Sequence, residues 1–216
     1  MGNYTLHASI EAFGFYTKHA PRYLEYPWVI DNISQSRQGS DVVDIGAGVS
    51  PVPLILSDMG YTVTTVDYSS NVRKIDGGAP LNEWGFLDYA NIDKRIASMN
   101  CDFGKADIAN STADVVYSIS VIEHMPIVVR QEVVAKAADI LRIGGKLVLT
   151  LDLKPGSLDL WNLDRGKVVD VAGHGSLDDL IIEMRKAGLI LSSLDIRRSL
   201  PGSSTDIAML VASRVG

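Results

Sequence analysis

Apolar, β-branched runs alternate with runs of helical periodicity along this chain. Asp41-Val42-Val43-Asp44-Ile45 is the first apolar run and Tyr61 to Asp67 the second. Lys94 to Asn100, Asp114 to Ser120 and Lys146 to Asp152 follow. Near-continuous apolar strands suit a parallel sheet covered on both faces. Leu189 to Arg197 and Thr205 to Ser213 are the last two runs, joined around Pro201-Gly202 closely enough for an antiparallel hairpin. Between the runs, Leu54, Ile55, Leu56 and Met59 give one helix an apolar face. Val128, Val129, Val133, Val134, Ala137, Ile140 and Leu141 mark the buried side of a helix over Ile127 to Leu141. Ser176 is an N-cap with Asp179 at the capping-box position, and that helix stops at Gly188. Alternation of this kind predicts a single α/β domain.

Three stretches read less cleanly. Residues 1–40 form an arm rich in aromatics, with Pro27 expected to end one helix and start another. The arm packs on the sheet or covers a site as a lid; Tyr16, His19, Arg22 and Tyr26 are its polar-tipped candidates. Ser69 and Ser70 suit the start of a helix running through Lys74. Residues 77–93 make a long connection, and residues 153–175 a loop with Trp161, Asp164, Arg165 and His174 that suits substrate contacts.

Composition narrows the classes. The chain has 216 residues, 46% of them hydrophobic, and a formal net charge of −6. That charge disfavours a nucleic-acid polymer as partner, since such binding leans on Lys and Arg. One cysteine, Cys101, leaves no disulfide framework or cysteine-based metal cluster within the chain. A reducing, cytoplasmic setting is the simplest reading. No apolar run approaches the ~20 residues that span a bilayer, and no signal peptide is evident. Leu6 stands where myristoylation prefers Ser or Thr.

The chemistry concentrates after the first strand. Gly46 and Gly48 permit a tight turn and close approach of a ligand to the backbone. Pro51 and Pro53 are tolerated in a first helical turn. The second strand then ends in Asp67. Strand, glycine turn, helix, strand, acid is a βαβ pattern for a ribosyl ligand, with the acid accepting from ribose hydroxyls. A phosphate-gripping P-loop needs a Lys that is absent after Gly48. A dinucleotide turn needs a small residue where Pro51 stands.

The stretch instead resembles motif I of the class I S-adenosylmethionine-dependent methyltransferases, matched by Asp44, Gly46, Gly48 and Ser50. Val121-Ile122-Glu123-His124-Met125-Pro126 resembles the Glu-His segment of small-molecule members, and the resemblance covers roughly residues 40 to 215. It implies a Rossmann-like seven-stranded sheet, mostly parallel with an antiparallel last strand, and helices on both faces. Residues 1–40 would be the arm and 41–216 the core. It implies S-adenosyl-L-methionine as cofactor, held by Asp44, Gly46, Ala47, Gly48, Asp67 and Tyr68. Asp102 and Phe103 would meet adenine, with Asp107 as competitor for Asp102, and Ser118 and Ile119 would touch the methionine end. His124 would be the catalytic base, with Tyr16, His19, Arg22, Tyr26 and Glu123 around the substrate. No metal is required in principle. The expected activity is O- or N-methylation of a small-molecule acceptor. The alternatives are a non-catalytic S-adenosylmethionine-binding partner and a protein methyltransferase.

Overall fold

The computed structural model describes residues 2–15, 21–74, 83–161, 163–164, 167–168 and 174–216. Seven strands form one sheet: β1 (Asp41–Ile45), β2 (Thr62–Asp67), β3 (Ile96–Asn100), β4 (Ala113–Ile119), β5 (Leu141–Leu153), β6 (Leu189–Arg197) and β7 (Asp206–Arg214). Their order across the sheet is β6-β7-β5-β4-β1-β2-β3. β1 pairs in parallel with β2 and β4, β2 with β3, and β4 with β5. β7, last in the chain, lies antiparallel between β5 and β6. The expected architecture is therefore the one observed.

The helices are α1 (Gly2–Phe13), α2 (Arg22–Ser34), α3 (Val52–Asp58), α4 (Ile127–Ile140) and α5 (Leu177–Lys186). Alternate strand residues feed two cores. Val43, Val116, Leu147 and Leu149 meet Val133, Val134 and Ala137 of α4 and Leu180 and Met184 of α5 on one face. Val42, Val63, Val115 and Val148 meet Val29, Ile30 and Ile33 of α2 and Ile55 and Leu56 of α3 on the other. The chain runs outward from β1 to β3, then crosses back to β4 on the far side of β1. That reversal opens a crevice at the carboxyl ends of β1 and β4, where ligands of open α/β sheets bind.

Several local expectations fail. Pro27 does not break the arm; α2 continues through it. A proline inside a helix costs about 3 kcal/mol. Fully burying Val29, Ile30 and Ile33 contributes roughly 1.5–3 kcal/mol each, so packing decides. Tyr23, whose carbonyl loses its helical partner, is exposed to water. No helix forms from Ser70 to Lys74. Ser69 Oγ instead accepts from Asn71 N in a local turn, and Val72–Arg73 pairs in parallel with Phe86–Leu87. That pairing belongs to a buried Phe86 and Leu87, which one helical turn would leave uncovered. Val128 and Val129 of α4 are exposed rather than buried. The Ser176–Asp179 capping box is present in both directions.

Candidate active site

The crevice between β1 and β4 holds a cavity of about 470 Å3. Asp44, Gly46, Ala47, Gly48, Asp67, Tyr68, Ile119 and His124 line it, and α2 adds Arg22 and Tyr26. Sequence analysis placed all ten at the site. The βαβ turn brings them there: Gly46 N donates to Val66 O at 2.8 Å and Gly48 N to Asp67 Oδ2 at 2.6 Å. Both glycines have positive φ, +74° and +52°.

The room that the two glycines leave is filled by the protein itself. A Cβ on Gly46 would stand 2.5 Å from the Val121 side chain, and one on Gly48 2.6 Å from the Glu83 carbonyl oxygen. Val49 N donates to that same carbonyl at 3.2 Å. The glycines thus let the β4 turn and the segment after residue 82 pack on motif I.

Four expected positions do not line the cavity. Asp102 caps the turn at Phe103–Lys105, accepting from Gly104 N at 3.2 Å, with its side chain half exposed. Phe103 is buried in the core under α4. Ser118 Oγ donates to Ile45 O at 2.9 Å, tying β4 to β1. Glu123 is fully buried, and its Oε1 accepts from Asp152 N at 2.9 Å. Tyr16 and His19 lie outside the described residues.

Two residues missed in the sequence organise the site. Glu25 of α2 is fully buried and accepts from Arg22 Nη1 (2.5 Å), Ser120 Oγ (2.5 Å) and Thr150 Oγ1 (2.6 Å). It joins the arm to the ends of β4 and β5 and aims Arg22 at the cavity. Ser120 adopts φ +48°, uncommon for a residue with a Cβ and frequent at functional sites. Tyr89 is also fully buried. Its hydroxyl accepts from Ser50 N at 2.7 Å and faces the carbonyls of Ser50 (2.9 Å) and Gly48 (3.1 Å), clamping motif I.

Burial dominates the electrostatics. It pushes the Asp44 carboxyl up to about 8; the neighbouring Asp67 adds to this, while the Tyr117 hydroxyl favours the charged form. That hydroxyl is near Asp44 without hydrogen-bond geometry. Burial also raises Asp67, against the N–H groups of Gly48 and Tyr68. Glu123 rises well above the carboxylate range through burial and the charge of Asp152. Asp152 rises through burial and Glu25, opposed by Arg22 and Thr205. For Arg22, burial opposes its charge, but Glu25, Tyr26 and Asp152 together outweigh it, so the guanidinium is held cationic.

A strand order with one antiparallel insertion, a glycine turn closed on an acid and a cavity at the β1/β4 crevice define a class I S-adenosylmethionine-dependent methyltransferase. The chain belongs to the methyltransferase-domain family, whose model matches residues 16–193. No curated protein sequence matches it. Its fold is similar to that of the Burkholderia thailandensis 1,6-didemethyltoxoflavin-N1-methyltransferase, solved with 1,6-didemethyltoxoflavin and S-adenosylhomocysteine. That similarity has a TM-score of 0.69 at 14% identity and covers 99% of this chain and 85% of that one. The Haemonchus contortus phosphoethanolamine N-methyltransferase 2, in complex with S-adenosyl-L-methionine, gives 0.63 at 14%, covering 98% of this chain and 57% of that one. The cyclase SpnF gives 0.63 at 14%, covering 88% and 82%.

Proposed function

We propose that the enzyme transfers a methyl group from S-adenosylmethionine to an oxygen or nitrogen of a small metabolite held in this cavity. The observation that carries the proposal is the convergence on one cavity of motif I, Asp67, His124 and Arg22. Its volume is in the range of small-molecule sites.

The donors suit the cofactor. S-adenosylmethionine carries a ribose diol and a cationic methionine end; Asp67 and Asp44 offer carboxylates to a ligand of that kind. When bound, it supplies an electrophilic sulfonium methyl. Asp67, oriented by the Gly48 N–H, accepts from the ribose hydroxyls. Asp44 complements the cationic end, while Tyr68 and Ile119 flank the ligand. His124 stands just past the end of β4 and takes the acceptor's proton; free imidazole titrates at roughly 6.5, suited to this near neutrality. Arg22 and Tyr26 wall the acceptor side, so the arm excludes water from the reaction.

Both the cyclase SpnF and the methyltransferases share this fold, so fold alone does not assign methyl transfer. The test is to incubate the enzyme with methyl-labelled S-adenosylmethionine and separated metabolite and protein fractions. Label entering the metabolite fraction, reduced at least about tenfold in His124→Ala, supports the proposal. Label entering only protein favours a protein methyltransferase. No transfer, with cofactor binding intact, favours a non-catalytic role.

A further inference from the structure

Behind the cavity wall, three side chains converge that the methyl-transfer reading does not use together. One donor atom from each of Glu123, His124 and Asp152 lies within 4.8 Å of the others. We propose that these three residues form a binding site for one divalent cation at the acceptor end of the cavity. The site goes beyond the proposed reaction; while an ion is bound, the His124 imidazole is a ligand and does not serve as the base, so the two roles exclude each other.

One oxygen at the site is unanswered. Glu123 is completely buried, and the Asp152 N–H satisfies its Oε1. Its Oε2 is buried without a hydrogen-bond partner. A buried polar atom left unsatisfied costs about 1–3 kcal/mol, and more when charged. Proteins answer such atoms with a donor, a water or an ion.

Negative charge is in surplus here. Glu25, Glu123 and Asp152 are buried together at the ends of α2, β4 and β5. Arg22 is the cation among them, and its guanidinium bonds Glu25 at 2.5 Å. Thr205 Oγ1 donates to Asp152 Oδ1 at 3.0 Å, which brings a hydrogen bond but no charge. Arg22 also acts on Asp152, so three buried carboxyl groups share one guanidinium, a surplus that one divalent ion would complement.

The three side chains are also held from behind. His124 closes the short turn Ile122–His124. His174 Nε2 sits 3.2 Å from its carbonyl oxygen, and the His174 carbonyl accepts from the fully buried Arg130. Arg130 in turn bonds both oxygens of Glu183 on α5, at 2.8 and 2.7 Å. Two donors are thus fixed by backbone and strand contacts, and the His124 imidazole faces the cavity. A ligating imidazole keeps its other ring nitrogen for an outer partner.

One nitrogen and two carboxylate oxygens suit manganese, iron(II) or zinc better than calcium. Metal bonds of about 2.1 Å put two donors at most about 4.2 Å apart. His124 Nε2 stands 4.0 Å from Glu123 Oε1, so the imidazole lies beside the carboxyl group whose other oxygen is unanswered. Of the three, His124 lines the cavity, so water or an oxygen of the acceptor would complete the set from that side.

The experiment uses the full chain, first dialysed against a chelator, then titrated with Mn2+ by calorimetry and electron paramagnetic resonance. One Mn2+ per chain is expected, with nitrogen hyperfine coupling that disappears in His124→Gln. Glu123→Gln and Asp152→Asn should each weaken binding at least about tenfold, while Asp178→Asn, an exposed carboxylate on α5, leaves it unchanged. Circular dichroism of each variant verifies folding. Failure of Mn2+ and Zn2+ to bind stoichiometrically at millimolar concentration overturns the proposal, as does binding indifferent to both Glu123→Gln and Asp152→Asn. Titration of the chelated protein with S-adenosylhomocysteine separates this failure from failure of the cofactor reading.

Discussion

Gly48 N donates to Asp67 Oδ2 at 2.6 Å, across the 19 residues that separate the first glycine turn from the end of the second strand. This bond closes the βαβ unit and fixes the carboxylate at the cavity wall before any ligand arrives. A preorganised acceptor of this kind loses little freedom on binding.

Asp44 makes cofactor binding depend on pH. Its carboxyl is raised from 3.8 to about 8 by burial. Between those values the ligand-free folded protein holds a proton that the unfolded chain has released. Stability from this group therefore falls as pH rises from about 4 to about 8 and is level above. A cationic ligand needs the ionised carboxylate, so its affinity rises over the same interval, by at most about tenfold per pH unit. Calorimetry with S-adenosylhomocysteine from pH 6 to 9 should show this rise and a plateau above about 8. Asp44→Asn should flatten the profile.

Tyr89→Phe tests the clamp on motif I. It leaves the buried Ser50 N–H without its partner, a cost of about 1–3 kcal/mol. Denaturant unfolding should show that loss. Because the loosened turn carries Gly48, affinity for S-adenosylhomocysteine should fall as well. Unchanged affinity would mean that Tyr89 supports the core and not the site.

Glu25 holds Arg22 in place, and both are buried. Removing one partner of a buried ion pair typically costs 3–5 kcal/mol. Glu25→Ala should therefore lower the melting temperature by roughly 6–20 °C in a protein of this size. Arg22→Met combined with Glu25→Leu should recover part of that loss, since the guanidinium is no longer left without Glu25, while Ser120 and Thr150 still lose their acceptor. Acceptor turnover should stay low in the double variant, because the cavity has lost its guanidinium.

Gly46→Ala puts a methyl group 2.5 Å from Val121 at a φ of +74°. Val121→Ala removes the two nearest atoms but leaves the residue 121 Cβ at 3.0 Å and the strain of the left-handed backbone, so the double variant should be more stable than Gly46→Ala alone. Gly48→Ala meets a backbone carbonyl at 2.6 Å, and no side-chain truncation should relieve it. Thermal unfolding of the three variants and the double variant decides the point.

β1, β2 and β4 were legible because each is rich in β-branched residues and bounded by polar or glycine-rich turns; β3, Ile96–Asn100, has one such residue and was legible only by its place in the alternation. The glycine turn and Asp67 were legible because βαβ chemistry is local in sequence. Glu25 was not, because its partners Ser120 and Thr150 lie 95 and 125 residues away and no local pattern records them. Tyr89 likewise answers a backbone group 39 residues before it. Asp102 fitted the expected spacing, yet its side chain caps its own turn, as short acids do when a backbone N–H is near. Pro27 misled because helix propensity is weaker than the burial of the face that carries it.

The most direct test of the account is calorimetric titration of the protein with S-adenosylmethionine, S-adenosylhomocysteine and NAD in parallel, with Asp67→Ala as control. The account predicts micromolar binding of the first two ligands, no binding of NAD, and loss of both in Asp67→Ala. Binding of NAD alone, or binding of S-adenosylmethionine undiminished in Asp67→Ala, would contradict it.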